Sequence, residues 1–88
     1  MAMIEIKTTE DDYKKVAVAI SELLKVKHLT YMSRRMLTDN SGIADTKLRS
    51  VLQDMLDKGY IKQYSTTENT QRQRYLYLLT DAGRQLIQ

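Results

Sequence analysis

Five polar side chains in the segment 45–58, DTKLRSVLQDMLDK, have the chemistry to recognise the edges of DNA bases. They share one face of a helix, because five apolar residues recur at helical spacing on the other face: Leu48, Val51, Leu52, Met55 and Leu56. Arginine and lysine donate to guanine, glutamine bridges adenine, and threonine and serine reach bases or phosphates. The candidate base-reading residues are Thr46, Lys47, Arg49, Ser50 and Gln53. The alternative is the solvated polar face that any amphipathic helix has.

Basic residues outside this helix are candidates for contact with DNA phosphates. Arg34 and Arg35 lie in the segment just before it, where a short helix would cross the DNA backbone. Lys62, Arg72 and Arg74 flank a polar stretch between two strand-like runs. The 14 Lys and Arg residues exceed the 11 Asp and Glu residues, and this net charge of +3 is compatible with an anionic partner without requiring one. Ordinary solvation is the competing interpretation of each side chain.

The composition argues against catalysis and against metal chemistry. The 88 residues include no cysteine and a single histidine, His28, and they contain no glycine-rich phosphate loop. Asp54 and Asp57 form a carboxylate pair, but on an open helix face they are expected to be solvated charges. We therefore predict a protein that is not an enzyme and that uses no cofactor or metal. No apolar run is long enough for a membrane-spanning helix.

The first half of the chain is predicted to form two helices. Thr9 is placed to cap the first helix, with Asp12 in a capping-box position. The apolar face of this helix consists of Tyr13, Val16, Ala17, Ile20, Leu23 and Leu24. A short second helix is predicted from Tyr31 to Leu37, capped by Thr30, and the composition of residues 38–42 predicts a turn.

The second half is predicted to form a helix, a hairpin and a final short helix. Asp45 is expected to cap the third helix, and Gly59 to end it in the left-handed conformation. Residues 60–65 and 74–79 are predicted to be strands joined by a long polar loop. Thr80 is expected to begin the last helix.

Alternation along the second predicted strand divides its side chains between two faces. Tyr75, Tyr77 and Leu79 are expected to pack on the helices, whereas Leu76 and Leu78 face the other way and could form a patch for a partner. The exposed side of the first helix is a second route to a dimer. Tyrosines could also stack on unpaired bases, but a role in the small core is favoured for them.

Two short motifs mark the ends of the third helix and the second strand. KGYI (residues 58–61) starts at the last residue of the predicted helix, and YLLTDAG (residues 77–83) covers the end of the second predicted strand and the start of the last helix. Together with the order of elements, these motifs resemble the winged helix-turn-helix transcription regulators of bacteria and archaea of the MarR, PadR and HxlR type, over residues 29–87. The chain departs from them in the wing, where ENTQR stands in place of the Asp-x-Arg signature of many MarR proteins. It also has no HxlR cysteine and no long dimerisation helix.

The resemblance implies an α+β, mostly helical fold in which a three-helix core carries a β-hairpin wing and a short C-terminal helix. Residues 1–88 would form a single winged-helix DNA-binding domain. It would be a cytoplasmic, sequence-specific binder of double-stranded DNA that reads the major groove with helix 45–58 and contacts the backbone with the 60–79 wing. A homodimer is expected, without membrane association or a small-molecule effector. The alternative is a winged helix that binds another protein in a larger complex.

Overall fold

A computed structural model describes residues 8–29, 31–65 and 74–88. In these residues the element order is α1 (Glu10–Leu24), α2 (Arg34–Ser41), α3 (Asp45–Asp57), β1 (Ile61–Ser65), β2 (Tyr75–Leu79) and α4 (Asp81–Gln85). The predicted class is confirmed, because the described chain is a mostly helical α+β structure with one antiparallel hairpin. The predicted cap at Thr30, the polar loop and Arg72 lie outside the described residues.

Helix α1 begins at the predicted capping box. The Thr9 hydroxyl accepts from the backbone N–H of Asp12, and the Asp12 carboxylate accepts from the backbone N–H of Thr9 at 3.0 Å. The predicted apolar face is buried with one exception. Leu24, the last residue of α1, is 38% exposed because it borders an open groove between α1 and α4.

Helix α2 begins and ends later than the sequence predicts, so the predicted bounds of 31–37 are wrong. The Ser33 hydroxyl accepts from the backbone N–H of Met36 at 3.1 Å and starts the helix at Arg34. The helix then continues through the residues predicted to form a turn. It ends where Gly42, at φ 74°, adopts a left-handed conformation that a residue with a side chain rarely adopts.

The prediction that Asp45 caps α3 is also wrong. Ala44 occupies the cap position without a side-chain hydrogen bond, and Asp45 is the first helical residue. Its carboxylate lies 3.7 Å from the guanidinium of Arg34 instead. Four of the five apolar residues predicted for this helix are buried, and the fifth, Leu56, is half-buried against the core. Gly59 adopts the predicted left-handed conformation.

The hairpin packs its second strand against the helical core. Strand β1 pairs antiparallel with β2 in a register that sets Ile61 opposite Leu79 and Lys62 opposite Leu78. Tyr77 is buried, and Tyr75 and Leu79 are half-buried against the core, as predicted. Thr80 caps α4, since its hydroxyl accepts from the Gly83 N–H and donates to the carbonyl of Gly59.

A single apolar core unites α1, α2, α3 and the hairpin. Its largest fully buried side chains come from all three long helices, and they include Ile20, Leu37, Leu48 and Met55. Within the described residues, no helix has the length and apolar character needed to cross a membrane.

Candidate nucleic-acid interface

The exposed face of α3 presents most of the predicted base-reading residues. Thr46, Arg49 and Gln53 are exposed and Ser50 is half-buried, so these four side chains can reach a ligand outside the protein. Gln53 donates to the carboxylate of Asp57, one turn further on, at 3.0 Å. This hydrogen bond orients the Gln53 amide and uses one of its two N–H donors, so the second donor and the carbonyl oxygen remain available.

Lys47 lies on the flank of α3 that faces α1, apart from the other four. Its ammonium nitrogen is 3.2 Å from the Asp12 carboxylate, which is buried. Burial by itself would raise the pKa of Asp12, but hydrogen bonds from the Thr9 backbone and hydroxyl, together with Lys47, lower the pKa below its ordinary value. Asp12 is therefore held ionised, and Lys47 is its counter-ion.

Asp54 lies on the same flank as Lys47, so its prediction as a solvated charge is wrong. It is half-buried and accepts a hydrogen bond from the phenol of Tyr13 at 3.1 Å. The Thr8 hydroxyl donates to the same carboxylate oxygen. Two acidic residues, Asp12 and Asp54, thus join α3 to the start of α1 through polar contacts.

Four arginines line one open groove between α2, the start of α3 and the edge of β2. The groove has a volume of about 900 Å³, and the arginines are Arg34, Arg35, Arg49 and Arg74. The other polar and aromatic lining residues are Tyr31, Ser33, Thr38, Asp45, Tyr75 and Tyr77. We call this feature the arginine groove. It adjoins the exposed face of α3 through Arg49, which belongs to both.

The arginine groove carries the net charge of the whole sequence. Its four arginines are opposed by one acidic residue, Asp45, so its formal charge is +3. The rest of the sequence has ten basic and ten acidic residues and is neutral overall. Four arginines against one carboxylate produce a local positive field in the groove that can attract an anion.

Backbone pairing brings two edges of the arginine groove together. The backbone N–H of Met32 donates to the carbonyl of Tyr75 at 2.7 Å, so the extended residues before α2 lie beside the start of β2. The adjoining side chains then stack, with the Arg74 guanidinium carbon 4.4 Å from the centre of the Tyr31 ring. Tyr31 is thus half-buried at the groove rather than in the core, which is the role favoured for the tyrosines from the sequence.

Of the two remaining predicted phosphate contacts, Lys62 does not lie in the arginine groove. Lys62 is directly opposite Leu78 in the hairpin, so it shares the face of β2 that is turned away from Tyr75 and Tyr77. Its side chain is exposed there. Arg72 is outside the described residues. Asp45, which the sequence assigned as a cap, is the additional charged residue of the groove.

Most of the described tyrosines are structural. Tyr13 is buried and its ring centre is 5.8 Å from that of Tyr60, which packs against the core. Tyr77 is also buried, whereas Tyr64 is 47% exposed on β1. The favoured assignment of these rings to the core is confirmed for Tyr13, Tyr60, Tyr75 and Tyr77.

No group of three or more histidine, cysteine, aspartate or glutamate side chains able to hold a metal ion occurs in the described residues. No protein-family model matches the sequence, and no curated protein matches it. The geometry of α3 and the arginine groove therefore provides the basis for assigning a function.

Proposed function

We propose that this chain is a winged helix-turn-helix domain that binds double-stranded DNA sequence-specifically and acts as a small transcriptional regulator. In this proposal α2 and α3 form the helix-turn-helix and the β1–β2 hairpin forms the wing. The observation that carries it is the location of the arginine groove, directly beside the exposed polar face of α3. Phosphate-binding and base-reading groups are thus adjacent, as recognition of a duplex requires.

The two surfaces have different tasks. Thr46, Ser50 and Gln53 would face the base edges in the major groove, which is wide enough to admit a helix. The arginines beside them would hold the phosphates of one strand, because a guanidinium offers paired donors that match phosphate oxygens. Arg49 lies between the two surfaces and can serve either task. We propose that the chain acts by binding duplex DNA and is not an enzyme.

The test is the affinity for a labelled random-sequence duplex, measured by fluorescence anisotropy over a series of salt concentrations. The logarithm of the binding constant should fall linearly with the logarithm of salt concentration, by about 0.9 for each phosphate contact. The variant Arg35→Ala should weaken binding and reduce that slope by about 0.9. Arg35 is suited to this test because it is exposed and forms no ion pair with another described residue.

Lys14→Ala is the matched control, because it removes one exposed positive charge from α1 rather than from the arginine groove. Equal losses of affinity in the two variants would show that only the total charge matters. Salt-independent binding, or no binding of any duplex, would contradict the proposal. Gln53→Ala should in turn alter the preference between duplex sequences selected from a random library, with little change in the salt dependence.

We further propose that the domain acts as a homodimer through an apolar surface away from the arginine groove. Leu24, at the end of α1, and Val26, in the turn after it, are 38% and 53% exposed, and Val18 is 46% exposed on a different face of α1. Leu24 borders a groove that also includes Leu78 and Ile87. Leu76, the other candidate for this patch, packs partly against the core.

Light scattering after size exclusion should report a dimer that Val26→Glu dissociates, while Gln63→Glu, on the exposed edge of β1, leaves it intact. A wild-type monomer at all concentrations would contradict the homodimer. The second candidate function, a winged helix that binds another protein, is favoured by this same apolar surface. It would be supported by a stable monomer that fails to bind duplex DNA.

A further inference from the structure

We infer that the arginine groove also binds a single unpaired nucleotide, with the base on Arg74 and the phosphate on Arg35 and Arg49. This inference goes beyond duplex binding, although it uses some of the same arginines. The ligand is a nucleoside monophosphate unit. It could be a free nucleotide or the unpaired end of a DNA strand.

A stacking platform for the base is already assembled. The Arg74 guanidinium lies on the Tyr31 ring, 4.4 Å from its centre, and the Arg74 side chain is exposed. The guanidinium therefore contacts an aromatic ring, and because the side chain is exposed, its surface that is not in contact with the ring is accessible to a ligand. Arginine planes and aromatic rings are the surfaces on which proteins stack unpaired bases. A base on this accessible surface would complete a stack of three planar groups.

The backbone holds this platform in place. The Met32 N–H and the Tyr75 carbonyl are joined by a hydrogen bond of 2.7 Å, one residue after each member of the stack. Tyr31 and Arg74 therefore come together through paired main chain rather than through two freely rotating side chains. Less conformational entropy is then lost when a ligand binds.

Charged donors for the phosphate lie in the same groove. Arg35 and Arg49 line it and are exposed, and neither forms an ion pair with a described residue. Arg34 is less available, because the Asp45 carboxylate lies 3.7 Å from its guanidinium. Unpaired guanidinium groups bind phosphate through two parallel hydrogen bonds. The volume of about 900 Å³ is within the range of sites that enclose a small ligand.

A base inside a duplex cannot use this platform, because both of its faces are covered by neighbouring base pairs. Stacking on Arg74 requires a nucleotide that has left the helix or lies beyond its end. The site therefore distinguishes unpaired from paired nucleotides, whereas the exposed face of α3 suits an intact duplex. At the end of a duplex, both surfaces could be occupied on one DNA molecule.

The first experiment compares deoxyadenosine monophosphate, deoxyadenosine and inorganic phosphate as ligands of the full chain, followed by tyrosine fluorescence and by NMR. The nucleotide should bind about tenfold more tightly than phosphate, because stacking adds to the phosphate contact. Tyr31→Leu should remove this advantage and leave phosphate binding unchanged, and Tyr31→Phe should retain it. Equal binding of nucleotide and phosphate by the wild type would overturn the inference, as would an advantage that survives in Tyr31→Leu.

The second experiment distinguishes the two sources of the nucleotide. A duplex with a short single-stranded overhang is compared with the same duplex made blunt. Tighter binding of the overhang, lost in Tyr31→Leu, assigns the site to strand ends. Equal binding, together with the preference for the mononucleotide, assigns it to free nucleotides.

The outcomes also separate this inference from the proposed function. Duplex affinity that responds to Arg35→Ala, without any preference for nucleotide over phosphate, leaves duplex binding standing and removes the nucleotide site. A preference for the nucleotide in a protein that binds no duplex leaves the nucleotide site standing and removes the proposed duplex binding. Tyr31→Leu should weaken the binding of the nucleotide by a larger factor than the binding of a blunt duplex, which separates a stacking role from a general loss of structure.

Discussion

The ammonium group of Lys47 lies 3.2 Å from the buried carboxylate of Asp12, and this ion pair connects α3 to the start of α1. On the same flank, Asp54 accepts from the Tyr13 phenol at 3.1 Å. The helix that carries the candidate base-reading residues is therefore fixed to α1 by polar contacts in addition to its apolar face. The orientation of α3 relative to the arginine groove therefore depends on its polar contacts with α1 and on the packing of its apolar face.

We predict that Lys47→Ala destabilises the fold by about 1–2 kcal/mol, because it leaves the buried Asp12 carboxylate without its counter-ion. The loss is smaller than for a fully buried pair, since the Lys47 side chain is 40% exposed and partly screened by water. Urea unfolding measures it. Lys14→Ala is again the control, and equal stabilities of the two variants would contradict the structural role of Lys47.

The lowered pKa of Asp12, which the Thr9 hydrogen bonds and Lys47 produce together, also predicts how stability depends on pH. Because the pKa of Asp12 is lowered in the folded protein, its contribution to stability is fully present above the unfolded pKa of about 4 and is lost as the pH falls through the folded pKa. The free energy of unfolding should be compared for the wild type and Asp12→Asn between about pH 3 and pH 7. The advantage of the wild type should shrink at the acidic end. A constant difference over this range would argue against a lowered pKa of Asp12 in the folded protein.

Replacing Gly83 is predicted to lower the stability of the fold, because α4 packs closely against the backbone of Tyr60, the residue before β1. A Cβ atom at this position would overlap the carbonyl oxygen of Tyr60, a backbone atom that cannot rotate away. Gly83→Ala should therefore cost about 1–3 kcal/mol despite the better helix propensity of alanine. Gln85→Ala, at an exposed position of the same helix, should change the urea midpoint little. A stabilised Gly83→Ala variant would show that α4 does not pack on Tyr60 in this way.

Thr38 provides a prediction of the opposite sign. Its hydroxyl oxygen is buried beside the arginine groove and has no hydrogen-bond partner among the described residues. Thr38→Val replaces the hydroxyl by a methyl group of similar size and removes an unpaired polar atom, so the melting temperature should stay the same or rise. Thr38→Ala, which removes volume as well, serves as the comparison. A marked loss of stability in the valine variant would indicate that the hydroxyl has a partner.

The sequence predicts those elements of the fold whose signals are local. The capping box at Thr9, the apolar stripe of α3 and the left-handed Gly59 each involve residues close together in the chain, and each is confirmed. The hairpin and the cap at Thr80 are confirmed for the same reason. The bounds of α2 were wrong because two possible caps, Thr30 and Ser33, precede the same apolar pattern. In the structure Ser33 is the cap, and the residue before it, Met32, donates a backbone hydrogen bond to Tyr75 of β2.

The features of the candidate site also divide into those set by local sequence patterns and those set by contacts between distant residues. The sequence by itself determined that Thr46, Arg49, Ser50 and Gln53 avoid the core, because helical periodicity assigns the faces of α3. Only the tertiary structure decided that Lys47 pairs with Asp12, that Tyr31 stacks with Arg74, and that four arginines share one groove. These contacts join residues far apart in sequence, and the packing of whole elements sets their distances. A pattern along the chain fixes the face on which a residue lies, but not its neighbours on that face.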